Sequence, residues 1–205
     1  MTPAEVQEAL AGGVVVLDLR PPRPFATEHL PGALTMQFNR ADLADRAELM
    51  LPVELRLVVH AEPEPVAKVA IEILRGAGFD VLGHLEGGLH AWKEAGGPTE
   101  KLPLMDVGEL RGDLDGFTVV DAREGFEHRH AHIAGAVLFP PGDAWARSGE
   151  PLAEPLAVVC GDQARSAYVA SILARAGRDA RLVMGGMVDW LERGYPVEKA
   201  SVSAS

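Results

Sequence analysis

The chain reads twice, and that repetition constrains its fold more than any other feature. Val14-Val15-Val16-Leu17-Asp18-Leu19-Arg20 returns as Phe117-Thr118-Val119-Val120-Asp121-Ala122-Arg123. Glu28-His29-Leu30-Pro31-Gly32-Ala33 returns as Ala131-His132-Ile133-Ala134-Gly135-Ala136, and the Asp-to-His interval is 11 residues in both copies. Further on, Glu86-Gly87-Gly88-Leu89-His90-Ala91-Trp92 matches Met184-Gly185-Gly186-Met187-Val188-Asp189-Trp190. Each copy then closes on a Gly and a Pro, Gly96-Gly97-Pro98 and Gly194-Tyr195-Pro196. For 205 residues, two homologous domains are the economical reading. They are drawn at residues 1–98 and 105–205, with a linker at 99–104.

Within each copy, short apolar runs alternate with helical patterns. Residues 14–18, 57–59, 117–121 and 157–159 are continuous apolar stretches, as expected of strands buried on both faces. Residues 66–78 and 166–177 place apolar side chains at i, i+3 and i+4 and end on Gly, the usual residue just past a helix C-terminus. The expected fold is α/β: two modules, each with a mainly parallel central sheet covered by helices on both faces.

Charge and cysteine usage narrow the function classes. A formal net charge of −11 argues against nucleic acid or an anionic membrane as partner. The N-terminus has an acid and no basic stretch ahead of an apolar one, unlike a signal peptide, and no apolar run has the ~18 residues of a membrane span. Cys160 is the one cysteine, so intramolecular disulfides and Cys-rich metal sites are excluded, and a reducing cytoplasm is the expected location.

That cysteine ends the apolar run Leu156-Ala157-Val158-Val159 and opens the loop Gly161-Asp162-Gln163-Ala164-Arg165, after which a helix begins. Open α/β sheets bind ligands at the carboxyl ends of their strands. A loop wound ahead of a helix N-terminus turns N–H groups inward, and a sulfur held there beside Arg165 is favoured as the nucleophilic thiolate.

Asp-x-Arg, His-Ile-x-Gly-Ala, strand-Cys-x-x-x-x-Arg-Ser and Gly-Gly-x-x-x-Trp together resemble the rhodanese family of sulfurtransferases, as a tandem of two modules covering nearly the whole chain. In that family the loop cysteine accepts a sulfane sulfur as a persulfide and passes it to a thiophilic acceptor. The resemblance implies Cys160 as nucleophile and the amides of Gly161, Asp162, Gln163, Ala164 and Arg165 as the cradle. It also implies Arg165 at the anionic end of the donor, with no cofactor and no metal. Thiosulfate is the default donor and 3-mercaptopyruvate a second candidate, with a thiol or cyanide as acceptor. Four residues between Cys160 and Arg165 favour sulfur over phosphate or arsenate chemistry, because phosphatases sharing the fold have one more. The family usually has Gly where this chain has Gln163; a side chain at positive φ there costs about 0.5–1 kcal/mol or forces another loop path. The rival reading from another class is a non-catalytic sulfur-carrier or regulatory interaction module.

Aligning the helix ends pairs Cys160 with Ala61, Arg165 with Val66 and Ser166 with Ala67. The first loop thus has no thiol and no cation, carries Glu62 and Glu64, and loses N–H donors at Pro63 and Pro65, so the first module reads as inactive. Asp121 and Arg123 recur as Asp18 and Arg20 in that module, which points to a structural pair near the site. His132, matched by His29, is expected to be a hydrogen-bonded turn residue. His128, Arg129, His130 and His132 crowd together without metal-ligand geometry, and Arg129 is a candidate cationic rim residue.

Overall fold

The structure is a computed structural model that describes residues 1–199; the last six residues of the 105–205 domain lie outside it. The chain forms two units that divide between Lys101 and Leu102. The first runs α1 (Pro3–Ala11), β1 (Val15–Asp18), α2 (Pro22–Thr27), β2 (Leu34–Thr35), α3 (Leu43–Met50), β3 (Arg56–His60), α4 (Glu64–Gly76), β4 (Asp80–His84) and α5 (Gly88–Glu94). The second runs β5 (Leu104–Asp106), α6 (Val107–Gly112), β6 (Thr118–Asp121), α7 (Gly125–His130), β7 (Val137–Leu138), α8 (Ala144–Arg147), β8 (Leu156–Val159), α9 (Ala164–Arg175), β9 (Ala180–Met184) and α10 (Gly186–Glu192).

The sheets are ordered β2-β1-β3-β4 and β5-β9-β8-β6-β7, and every neighbouring pair is parallel. All four residues of β1 and all four of β8 are buried. Successive side chains of a strand point to opposite faces, so both faces of each sheet are covered, and the apolar runs follow from that. On one face of the second sheet, Ala157 and Val159 join Val107, Leu110, Met187 and Trp190 in a single core.

The stretch read as the linker is held at both ends. Glu100 pairs with His29 in an antiparallel bridge, Leu102 is buried, and Leu104 begins β5. Helices α1 and α6 open with capping boxes, Thr2 with Glu5 and Asp106 with Glu109, which satisfy amides that helix ends leave unpaired. The closing Gly-Pro of each copy also acquires a reason: the indole N–H of Trp92 donates to Pro98 O at 2.8 Å, and that of Trp190 to Pro196 O at 2.9 Å.

One buried residue separates the modules energetically. His60 and Val159 hold equivalent positions, opposite Asp18 and Asp121 in the strand register. The His60 ring is fully buried, neither nitrogen has a hydrogen-bond partner, and Glu62 Oε1 lies 3.6 Å from Nε2. Burial pushes its pKa below the ordinary 6.5, so the unfolded chain takes up the proton more readily than the folded one. Stability tied to His60 is intact above about pH 6.5 and is lost as pH falls through that value. His60→Val is expected to raise stability at neutral pH by about 1 kcal/mol, by removing two unsatisfied buried nitrogens. It should also flatten the loss between about pH 7.5 and 5.5, measured by urea unfolding followed by circular dichroism; an unchanged pH slope would show that His60 does not set it.

Candidate active site

Cys160 follows β8 directly, and its sulfur is fully buried between the strand end and the first turn of α9. Two side-chain oxygens are its polar neighbours: Ser166 Oγ at 3.2 Å and Asp162 Oδ1 at 3.9 Å. Ser166 is itself buried and donates to Gln163 O at 3.2 Å, tying the start of the helix to the loop.

The loop differs from the expected cradle in two respects. The amides of Gln163 and Ala164 donate to Asp162 Oδ1, at 2.8 and 3.2 Å, instead of converging on the sulfur. A carboxylate one or two residues ahead of such amides reaches them with little loss of side-chain freedom, and it forms the stronger, charge-assisted bond. Arg165, expected at the anionic end of a donor, grips Glu127 of α7 instead, with Nη1 at 2.5 Å from Oε2 and Nη2 at 2.9 Å from Oε1. The Glu127 carboxylate raises the guanidinium's pKa, and Arg165 lowers that of Glu127, so both stay ionised. Arg129 is exposed on the same helix and forms no ion pair among the described residues.

Gln163 adopts φ 149°, the one positive φ at a non-glycine residue among those described. A side chain is therefore forced into backbone space that suits glycine, at a cost of about 1 kcal/mol.

Glycines fix the far side of the loop. Gly186 starts α10 with φ +54°, and a Cβ there would lie 2.4 Å from Cys160 O and 2.9 Å from Gly161 O. That approach lets Met187 N donate to Cys160 O at 2.7 Å and Val188 N to Gly161 O at 3.2 Å. Neither this clamp nor Glu127 was among the residues picked out from the sequence as site candidates. Glu127 and Arg165 are 38 positions apart and sit on separate elements, so no local pattern joins them.

Asp121 and Arg123 form a brace behind the site. Arg123 Nε and Nη2 donate to Asp121 Oδ1 and Oδ2 at 2.9 and 2.7 Å, and Nη2 also donates to Ala131 O at 2.7 Å. Asp18 and Arg20 repeat the arrangement in the first module, with Glu28 O as the backbone acceptor. His128 Nδ1 lies 3.0 Å from Asp121 Oδ2. His132 stacks on His128 at 4.0 Å with Nδ1 2.8 Å from His128 O, as His29 stacks on Phe25 with Nδ1 2.8 Å from Phe25 O. In the first module Ala61 stands at the thiol position, and Val66 stands at the position of Arg165 without a charge.

A parallel sheet with a cysteine at a strand end, a short loop and a helix N-terminus beside it places the thiol at the carboxyl edge of an α/β sheet, the edge at which open α/β sheets bind ligands. The rhodanese-like domain matches residues 2–95 and again residues 106–193, and the chain belongs to that family as a tandem of two domains. The thiosulfate sulfurtransferase GlpE of Ectopseudomonas mendocina is 30% identical over 94 residues, covering 45% of this chain and 83% of the relative. An uncharacterized Synechocystis protein is 34% identical over 98 residues, and the match spans 48% of this chain and 53% of that protein, about half its length. Among solved structures, a thiosulfate sulfurtransferase from Pseudomonas aeruginosa aligns over 98% of this chain and 43% of its own, at 22% identity and TM-score 0.42. The Alr3790 protein of Anabaena aligns over 56% of this chain and 90% of its own, at 30% identity and TM-score 0.45. No helix among the described residues is long and apolar enough to cross a membrane.

Proposed function

We propose that the second module is a sulfurtransferase that carries a sulfane sulfur on Cys160, taking it from thiosulfate or a related donor and passing it to a thiol or to cyanide. The observation that carries this reading is the seat of the sulfur: a thiol at the end of β8, next to the α9 N-terminus, with Ser166 Oγ at 3.2 Å and a cation one turn on. The thiol donates to Ser166 Oγ, and the α9 N-terminus sets the positive end of its dipole beside the sulfur. In the reaction the Cys160 thiolate attacks the outer sulfur of the donor, the donor's S–S bond breaks, and its electron pair leaves with sulfite or its equivalent. The acceptor then removes the outer sulfur and regenerates the thiol. Because Cys160 is fully buried, the loop side chains must yield before a donor reaches it. The name of the Ectopseudomonas relative supports the activity class. The first module, with Ala61 for the thiol, is proposed to be inactive.

A non-catalytic carrier or interaction module is the second reading, and the buried thiol is what favours it. Intact-mass analysis after incubation with sulfane donors separates the two. Cys160 is expected to gain one sulfur atom, and Cys160→Ser to gain none and to lose cyanide-dependent turnover entirely. No gain from any donor leaves the interaction reading standing alone.

A further inference from the structure

We infer that Asp162 determines donor specificity, turning the site away from doubly charged donors such as thiosulfate and toward persulfides, R–S–SH. The inference rests on the sulfurtransferase reading above and names its donor class.

Two sets of donors near the sulfur could neutralise an incoming anion, and both are already bound to carboxylates of this chain. Asp162 Oδ1 takes the amides of Gln163 and Ala164 at 2.8 and 3.2 Å, while lying 3.9 Å from Cys160 Sγ. Glu127 takes both terminal nitrogens of Arg165. A dianion approaching the sulfur therefore meets a fixed negative charge where an amide cradle is needed, within a chain of net charge −11. It must expel the Asp162 carboxylate from two charge-assisted bonds and still face it nearby. The remaining polar neighbour of the sulfur, the Ser166 hydroxyl, is neutral and imposes no such demand.

A protonated persulfide avoids the conflict because its reacting end carries no charge. The Cys160 sulfur forms a bond to the outer sulfur of R–S–SH, the original S–S bond breaks, and its electron pair departs on R–S⁻. The proton lost by the Cys160 thiol ends on that leaving thiolate, so the products are Cys160–S–SH and R–SH. The sulfane sulfur keeps its oxidation state, and no external oxidant or reductant takes part.

The test uses the full chain and two donors, thiosulfate and hydroxyethyl persulfide, the persulfide of mercaptoethanol, whose one ionisable group is its –SSH, so that at most a single charge opposes the dianion of thiosulfate. The rate of one-sulfur mass gain on Cys160 is measured for the wild type, Asp162→Asn and Asp162→Ser. Both variants keep an oxygen for the two amides while removing the charge, and circular dichroism confirms the fold. Loading from thiosulfate is expected to rise roughly tenfold or more in both variants. The ratio of thiosulfate to persulfide loading should rise by a similar factor in both variants, and that rise should shrink as added salt screens the wild-type charge. A donor ratio that is the same in wild type and variants overturns the inference and leaves the sulfurtransferase reading intact. No sulfur on Cys160 from either donor, in any of the three proteins, overturns both.

Discussion

Arg123→Ala is expected to cost the second module about 3–5 kcal/mol, the loss that follows when one partner of a buried ion pair is removed. The substitution leaves the fully buried Asp121 carboxylate with His128 Nδ1, at 3.0 Å, as its remaining side-chain partner. It also strips the donor from Ala131 O, which the guanidinium reaches at 2.7 Å. A domain stable by about 5–15 kcal/mol cannot absorb that without a visible shift in its unfolding. Urea unfolding followed by circular dichroism supplies the measurement, and Arg20→Ala supplies the comparison, because Arg20 braces Asp18 and Glu28 O in the same way. The loss for Arg20→Ala is expected to be at least as large, because Phe25 stands where His128 does and, among the described residues, the ion pair of Asp18 is with Arg20 alone. A loss below about 1 kcal/mol for Arg123→Ala would place the pair with exposed ion pairs and remove its role as a brace.

Gly186→Ala is expected to slow sulfur loading of Cys160 by about a hundredfold, the scale on which a displacement of about an ångström at a reacting group acts. The added Cβ has no room: it would lie 2.4 Å from Cys160 O and 2.9 Å from Gly161 O, and both are backbone atoms that cannot rotate away. Either α10 withdraws, breaking the Met187 and Val188 amide bonds to the loop, or the loop itself moves. Gly88→Ala is the matched control. Gly88 has a similar φ of +59°, but its Cβ would meet the side chains of Glu62 and His60 in the module without a thiol. Both variants should lose stability from left-handed strain, about 1–2 kcal/mol each. Only Gly186→Ala should change the rate of mass gain on Cys160, and equal rates in both would show that α10 does not hold the loop.

Much of the fold was legible because the repeat supplies two readings of one pattern. The runs at 14–18 and 117–121 lie on β1 and β6, and the helices expected at 66–78 and 166–177 are α4 (Glu64–Gly76) and α9 (Ala164–Arg175), displaced by about two residues. Apolar periodicity marks where a helix is buried, whereas its first turn is set by loop geometry, and the starts slipped for that reason. Strand β5, which begins on the last residue of the 99–104 linker, was missed because three residues carry too little pattern; the capping box at Asp106 and Glu109 was the available signal. At the site, the position of Cys160 could be read from residue type and spacing, and the awkward backbone at Gln163 from the resemblance, which puts Gly at that position. The destinations of charges could not. Asp162 turned on its own loop, and Arg165 found a carboxylate on another helix, because an ion pair depends on three-dimensional neighbours that periodicity does not encode.

Strand β5 also bears on how this polypeptide can be divided. It gives β9 its outer parallel partner, and Leu102 just ahead of it is buried. A fragment beginning at residue 105 would cut β5 short and leave β9 without its partners at Pro103 and Leu104, unpairing the Leu182 N–H at a sheet edge on which a second chain could assemble. A cut between Lys101 and Leu102 keeps that edge occupied, so the thiol-bearing half has its scissors point there, three residues ahead of where the repeat alone would set it.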